Sequence, residues 1–516
     1  MDKSGTFLKG ALVLSVAGAL SKILGALYRI PLARLLGGEG MGLYQMAYPI
    51  YTAILALATA GVPVAISVLV ARKETQGYSG DSQRILKVSL VVMLIFGFLL
   101  TALVMLCAPA IANQVLHQPR AYYPIMAVAP AIFFSSLLSV FRGYFQGYQR
   151  MMPTAVSQVI EQLFRVSAVI TLAYLLFPRG LEYAAAGATF GAVVGGAVGL
   201  GVLVIYLVNF RRSQPAIEGQ VLYSGAASST LAREMIALAI PVSFGAFVLP
   251  LVHVLDAIIV PGRLLALGYS SSQATALYGQ LSGMAAVLIS LPTIFTISIA
   301  TSLVPAISEA WTQKHRPLLN QRLNNGLRAG MIISFPCAAG LFVLAVPICA
   351  LLYATPEAGI PLEPLAFSAV ALAAFQLSSA GLQGIGRPEI AMRNLIITGV
   401  LKTIFNYSLT SVALLNIKGA AIGTVAAFAV GSALNIYFLK RLTGVRYEVA
   451  RMVRLLMVTI AMGISVVQLY GFMVAAGTGS ALATAVSIAV GVLVYGGLLL
   501  VIRELDLDML KKTIHR

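Results

Sequence analysis

Negative charge is what this sequence holds least of. Asp and Glu together number 17 in 516 residues, and all charged residues make up 10% of the chain, against about 25% in ordinary soluble domains. With 59% of residues apolar, a soluble chain of this length would have too little polar surface to cover its core. A soluble globular fold is therefore excluded, and a polytopic membrane protein is predicted. Cysteine is nearly missing as well. Cys107, Cys337 and Cys349 are scattered, each in an apolar run, which fits neither a disulfide framework nor a metal site. With one Trp and four His, no cofactor or metal and no catalytic residue is predicted. Short alternating strands, which an outer-membrane barrel needs, are also missing. The apolar runs are long and uninterrupted, and about 20 such residues carry a helix across a bilayer with its backbone groups satisfied internally.

Hydropathy predicts fourteen spans, near 9–36, 43–71, 85–111, 122–147, 153–177, 183–208, 231–262, 273–306, 326–351, 361–384, 388–414, 419–440, 448–471 and 480–503. No connection is long enough for a folded soluble domain. The N-terminal stretch MDKSGTFLKGALVLSVAGAL superficially resembles a signal peptide. It is read as the first span, because the apolar run continues past Lys22 without a small-residue cleavage site. Of the 35 Lys and Arg, 26 fall at the N-terminus, in the even-numbered loops or the span ends beside them, and in the tail, which holds Arg503, Lys511, Lys512 and Arg516. The odd-numbered loops hold only Arg120, Arg179, Arg263 and Lys418. By the positive-inside rule both termini are cytoplasmic. The net charge of +18 is then mainly a topology signal, and nucleic acid is not a predicted partner.

The chain repeats a phrase. FQGYQR at 145–150 ends span 4 and LQGIGR at 382–387 ends span 10, each followed by a proline, Pro153 or Pro388, suited to a first helical turn. Nineteen residues after Gln146 stands Arg165, and nineteen after Gln383 stands Lys402. Spans 6 and 12 share glycine-rich starts, AAGATFG and AAIGTVA, and spans 2 and 8 align more weakly as LYQMAYP and LYGQLSG. Either the short phrase recurs by chance where helices meet the cytoplasm, or spans 1–6 and 7–12 are two copies of one six-helix unit. The cation spacing and the topology favour the second. Because six is even, the copies keep one orientation, as in parallel-repeat transporters. The predicted architecture is all-α: an N-lobe at 1–212, a C-lobe at 213–446, and two further helices with a cytoplasmic tail at 447–516.

Five cations are left once those at the loops and ends are set aside: Lys22, Arg29 and Arg34 in span 1, Arg165 in span 5 and Lys402 in span 11. At 1.5 Å per residue, Lys22, Arg165 and Lys402 each lie roughly 20 Å up their helices, near mid-membrane. A cation there costs about 2.5–3.5 kcal/mol against lipid. Arg34 is near enough to an interface to snorkel. For the others, one reading is local ion pairing, available to Arg165 through Glu161 four residues earlier. The other is a hydrated cavity whose positive charge attracts a phosphate or carboxylate. Lys22 and Arg29, seven apart, are expected on one helix face. His253 and Asp256 are three apart in a span that also holds Pro241, Pro250 and Pro261. They suit a coupling-ion or gating site, or a structural pair near the interface. Gly187, Gly191, Gly195 and Gly199 form a small-residue stripe for close helix packing. LGGEGMG at 36–42 is read as a tight outer turn, not a phosphate loop.

SKILGALYRIPLARLLG in span 1, LQGIGRPEI followed by NLIITGVLKTIFNY, and the fourteen-span plan together resemble the MOP flippase superfamily. The resemblance is to the stage V sporulation protein B and polysaccharide transporter branch, related to MurJ lipid II flippases. It implies two six-helix lobes around a cationic cavity, to which Lys22 and Arg29 contribute, and a lipid-tail groove formed by the last two helices. The better-known lipid II flippases carry an arginine in span 8. Here no charge lies between Tyr278 and Pro305, so Lys402 and Arg165 are the expected substitutes.

The function so implied is translocation of an anionic undecaprenyl-diphosphate-linked cell-wall precursor across the bacterial cytoplasmic membrane by alternating access. Lys22, Arg29, Arg165, Lys402 and Glu161 are the expected binding residues. Partners would be the lipid-linked glycan, membrane lipids and cell-wall synthesis proteins. No Walker motif is present, so membrane potential or a Na⁺ or H⁺ gradient is the expected energy source. Three rivals are weighed. A MATE-like exporter of cationic drugs wants buried carboxylates, and Glu161 and Asp256 are the only acids within spans away from their first few residues. A membrane glycosyltransferase needs a large outer loop with catalytic acids, and these loops are short. A non-transporting sporulation or division scaffold is the third.

Overall fold

The computed structural model describes residues 3–213, 223, 227–502 and 504. The predicted tail cations Arg503, Lys511, Lys512 and Arg516, and the side chains of Lys3 and Lys9, lie outside the described residues. Among those described, every regular element is helical, which follows from long apolar runs that lack the alternation of strands. Contacts divide the chain into two compact units, Met1–Leu265 with Tyr269–Gly279, and Ala266–Gly268 with Gln280–Arg516.

The first unit holds α1 (Lys3–Leu27), α2 (Arg29–Thr59), α3 (Val62–Thr75), α4 (Ser79–Ala110), α5 (Tyr122–Val128), α6 (Pro130–Gly147), α7 (Met151–Leu176), α8 (Leu181–Ser213), nearly all of α9 (Ser228–Ala266) and α10 (Ser271–Tyr278). The second holds α11 (Ala286–Thr312), α12 (Arg316–Val343), α13 (Ala345–Tyr353), α14 (Gly359–Leu365), α15 (Ser368–Gly384), α16 (Pro388–Thr410), α17 (Asn416–Thr443), α18 (Val449–Ala475) and α19 (Ser480–Val501). The expected lobe boundary at 212/213 falls inside the first unit. Helix α9 packs there: Ser243 Oγ accepts from the backbone N–H of Gly61 at 3.0 Å, and a Cβ on Gly61 would strike the backbone of Ala239.

Among the described residues, eleven helical stretches are long and apolar enough to cross a membrane, or twelve if the bent pair Pro356–Leu365 and Ser368–Gly384 counts as one span. The difference from fourteen has two visible sources. Val13–Thr75 runs as one stretch of 63 residues where hydropathy predicts two spans. Helix α16 is not among the eleven, and it carries five buried polar residues. The turn expected at 36–42 shrinks to one residue: helix continues on either side of Gly37, whose φ of +64° turns the chain. Glycine suits that left-handed backbone, which costs other residues roughly 1–2 kcal/mol. Pro388 opens α16 at its first position as predicted, whereas α7 begins two residues before Pro153.

The repeat is written in the packing of each unit. A Cβ on Gly147 of α6 would meet Val70 at 2.6 Å and the Ser67 carbonyl at 3.1 Å. On Gly384 of α15 it would meet Ile307 at 2.7 Å and the Val304 carbonyl at 3.0 Å. All three residue pairs are 237 positions apart. The next helices repeat the pattern. In the first unit Gly187, Gly191 and Gly199 of α8 lie on Leu172, Val169 and Glu161 of α7. In the second, Gly419, Gly423 and Gly431 of α17 lie on Leu409, Asn406 and Thr398 of α16. The α7 residues recur 237 positions later and the α8 glycines 232 later. The stripe read as a packing motif is thus a packing motif, present twice.

Candidate functional site

In the first unit the polar centre is built on α7. Glu161 and Arg165 are one turn apart, and Arg165 Nη2 donates to Glu161 Oε1 at 2.5 Å. The pair expected from sequence is therefore made. A second arginine completes it: Arg142 of α6 donates from Nη2 to Glu161 Oε2 at 2.7 Å and lies 3.4 Å from Ser157 Oγ. One buried carboxylate thus takes a guanidinium on each oxygen. Arg142 is not among the five cations that the sequence singles out. The closed approach of α8 explains how the cluster is held, since Gly195 leaves room for the Arg165 Cβ and Gly199 for the Glu161 side chain.

Tyrosines border this cluster. Tyr44, Tyr48 and Tyr51 follow one face of α2 at helical spacing. The rings of Tyr44 and Tyr48 stack with centroids 5.5 Å apart, and Tyr48 and Tyr51 are 5.7 Å apart. The Tyr28 and Tyr44 hydroxyls are 2.8 Å apart and buried, and the Tyr51 hydroxyl is 3.4 Å from Ser135 Oγ. Arg165 lies within electrostatic range of Tyr51, Tyr48 and Tyr28. Arg29 places its guanidinium 5.9 Å from the Tyr48 ring centroid. Spacing alone would have flagged these tyrosines as a face.

The cluster is cationic on balance: Arg142 and Arg165 share the single carboxylate of Glu161, and Arg29 stands over one of the bordering tyrosines. The Nε–H groups of all three arginines are buried and find no acceptor among the described residues. A buried donor without a partner costs roughly 1–3 kcal/mol. Three such donors beside phenolic hydroxyls form a surface suited to anionic oxygens.

The remaining expected residues fall elsewhere. Lys22 is exposed on α1, and no hydrogen bond or ion pair joins it to the cluster among the described residues. Lys22 is exposed whereas Arg29 is half-buried, so the shared face expected for the two is not a shared environment. Arg34 is exposed. His253 Nδ1 stands 3.9 Å from Asp256 Oδ2 on α9, an ion pair only when the imidazole is protonated.

Lys402 belongs to the second unit, where it is 7% exposed at the middle of a polar ladder on α16. Asn394, Thr398, Lys402, Asn406 and Thr410 recur every fourth residue and are all buried. Gly423 and Gly431 of α17 make space beside Asn406 and Thr398. Asn394 Nδ2 donates to Asn435 Oδ1 at 2.8 Å, and Asn435 Nδ2 donates to Ser379 Oγ at 2.8 Å. The repeat equates Ser379, Asn394, Thr398 and Lys402 with Arg142, Ser157, Glu161 and Arg165. The second copy of the cluster is thus neutral except for its lysine.

An all-helical, multi-pass membrane protein with a six-helix repeat and buried cations is the class these features define. Residues 7–311 match the family described as Polysaccharide biosynthesis protein, and residues 265–408 match the MatE family. The chain belongs to the Polysaccharide biosynthesis protein family, within the MOP flippase superfamily. It is 32% identical over 515 residues to Stage V sporulation protein B of Bacillus subtilis (strain 168), covering 98% of this chain and 97% of that one. It is 30% identical to Lipid II flippase MurJ of the same organism over 486 residues, covering 90% and 88%. The fold is similar to a solved structure of lipid II flippase MurJ in an inward closed conformation, with a TM-score of 0.72 at 15% identity, covering 96% of this chain and 99% of that one.

Proposed function

We propose that this chain is a flippase that carries an anionic, undecaprenyl-diphosphate-linked cell-wall precursor across the bacterial cytoplasmic membrane by alternating access. Both termini are cytoplasmic in this reading, following the distribution of Lys and Arg. The observation that carries it is the half-buried trio Arg29, Arg142 and Arg165, which outnumbers its one carboxylate and keeps three buried Nε–H donors without acceptors among the described residues. A diphosphate offers oxygen acceptors and negative charge to such a group, and guanidinium is the fork that phosphate fits best. The likeness to Stage V sporulation protein B and to Lipid II flippase MurJ supports a lipid-linked substrate.

Lys402 and Lys22 supply further positive charge along the substrate's route. His253 and Asp256 are the candidates for coupling or gating, driven by membrane potential or by a Na⁺ or H⁺ gradient. Partners are the lipid-linked glycan, membrane lipids and the proteins that synthesise cell wall. The MatE match over 265–408 keeps a MATE-like cation exporter as a second reading. Glu161 argues against it, because both of its oxygens are already taken by arginine.

The test is reconstitution in liposomes with fluorescent lipid-linked precursors. Wild-type protein should move the label between leaflets. Arg165→Ala and Lys402→Ala should slow it by roughly 10- to 100-fold, the loss of one charge-assisted contact each. Lys22→Ala should slow it less. Normal flipping by both Arg165→Ala and Lys402→Ala would remove the proposed binding residues, and export of an organic cation instead would favour the second reading.

A further inference from the structure

A cavity of about 510 Å³ lies in the first unit where α1 and α7 begin and α6 and α8 end, away from the Glu161 cluster. Its walls are mostly apolar, with Val13, Phe145, Met151, Met152 and Phe210, and Gln149, Tyr206 and Asn209 add polar groups. Arg150 supplies the charge, with its guanidinium 4.6 Å from the centroid of the Phe210 ring. A guanidinium lying on a ring keeps its N–H edge available for phosphate oxygens. Arg211 and Arg212 follow Phe210 and are exposed at the same end of α8.

The second repeat shows what the first leaves open. The counterpart of Arg150 is Arg387, and Glu389 pairs with it at 3.4 Å. At the position matching Glu389 the first repeat has Met152. The turn itself is the same, since Gln149 and its counterpart Gly386 both have positive φ, +58° and +76°. Backbone is kept, and only the side-chain chemistry differs: a neutralised arginine in one copy, an arginine beside an apolar cavity in the other.

We propose that this cavity binds an anionic phospholipid of the adjoining leaflet, with the phosphate on Arg150 and the start of an acyl chain against Phe145, Met151 and Met152. The basic ends of α6 and α8 place the site on the cytoplasmic side by the positive-inside rule, where basic residues next to a span attract anionic lipid. A free phosphate has no use for the apolar wall, and a zwitterionic lipid gains less from a guanidinium that has no ion pair among the described residues. The site is separate from the transport reading, and its occupancy is measured without transport.

Native mass spectrometry of the full chain released from micelles reads the binding directly. The probes are phosphatidylglycerol, phosphatidylcholine, undecaprenyl diphosphate and inorganic phosphate. Phosphatidylglycerol should be retained over phosphatidylcholine. Arg150→Ala should lower its retention roughly fivefold, the effect of about one basic residue at an anionic surface. Met152→Glu should do the same, because it installs the acid that pairs with arginine in the second repeat, and it keeps Arg150 in place if the alanine variant fails to fold. Arg387→Ala should change nothing. Retention unchanged in Arg150→Ala and Met152→Glu would overturn the proposal. So would preference for undecaprenyl diphosphate, which would make the cavity a substrate site, or for inorganic phosphate, which would make it a simple anion site.

Discussion

Glu161 and Thr398 hold the same place in the two copies of the repeat. Each stands against a glycine of the following helix, Gly199 and Gly431, and each precedes a cation by four residues, Arg165 and Lys402. Glu161 accepts from two arginines, while Thr398 Oγ1 donates to the Asn394 carbonyl at 2.7 Å. A shared packing scheme therefore carries two electrostatic designs, an ion network in the first unit and a lysine among neutral side chains in the second.

Converting one design into the other is a direct test of the lysine. Thr398→Glu places a carboxylate one turn before Lys402, the spacing at which opposite charges meet along a helix. Flipping of the lipid-linked precursor should fall by roughly tenfold, as expected when a charge-assisted contact is lost. Thr398→Gln, nearly the same size without the charge, should fall much less. Equal losses in both would assign the effect to crowding beside Gly431.

Removing Glu161 should cost stability as well as transport. Glu161→Ala leaves Arg142 and Arg165 without their shared acceptor, and breaking a buried pair in this way costs about 3–5 kcal/mol. The thermal midpoint in detergent should drop clearly. Adding Arg142→Ala should recover part of the loss, because groups in one network are not additive. Strict additivity of the two substitutions would mean that the bond at 2.7 Å contributes nothing.

The glycine stripe makes a prediction within one helix. A Cβ on Gly195 would sit 2.8 Å from the Arg165 Cβ and 2.7 Å from the Glu161 carbonyl oxygen, whereas a Cβ on Gly201 would meet nothing within 4 Å. Gly195→Leu should destabilise by at least about 1–3 kcal/mol through overpacking. Gly201→Ala should be neutral or slightly stabilising, since alanine favours helix by about 1 kcal/mol over glycine. Thermal unfolding of the two variants side by side measures the contrast.

At one edge of the first unit Arg120 clasps two carboxylates, Glu39 at 2.5 Å and Glu182 at 2.7 Å. This links the chain just past the Gly37 kink to the first turn of α8. The arginine is partly exposed, so the clasp is worth at most about 1 kcal/mol. Arg120→Gln should lower the thermal midpoint slightly at low salt. That gap should close near 1 M salt, where screening reaches about 3 Å.

Much of this was readable before any coordinates. The 237-residue echo at Gln146 and Gln383 predicted a repeat that the packing of Gly147 and Gly384 displays. The four-residue spacing of Glu161 and Arg165 made their ion pair one of two readings, and the pair is formed. The ladder from Asn394 to Thr410 was equally open to reading, as a polar residue at every fourth position, but hydropathy averaged over the span conceals it. Arg142 was beyond reach, because nothing in its local sequence says that its side chain turns back towards α7.

Composition and periodicity determined by themselves that the chain is a bundle of apolar helices, built twice over, with cations where lipid would not tolerate them. They could do so because apolar runs, basic clusters and helical spacing act within one helix or count along one chain. Only the tertiary structure decided which cations share a carboxylate and which stand apart. A guanidinium on α6 meets a carboxylate on α7 only because the two helices pack together, and glycines on a third, α8, lie against the second.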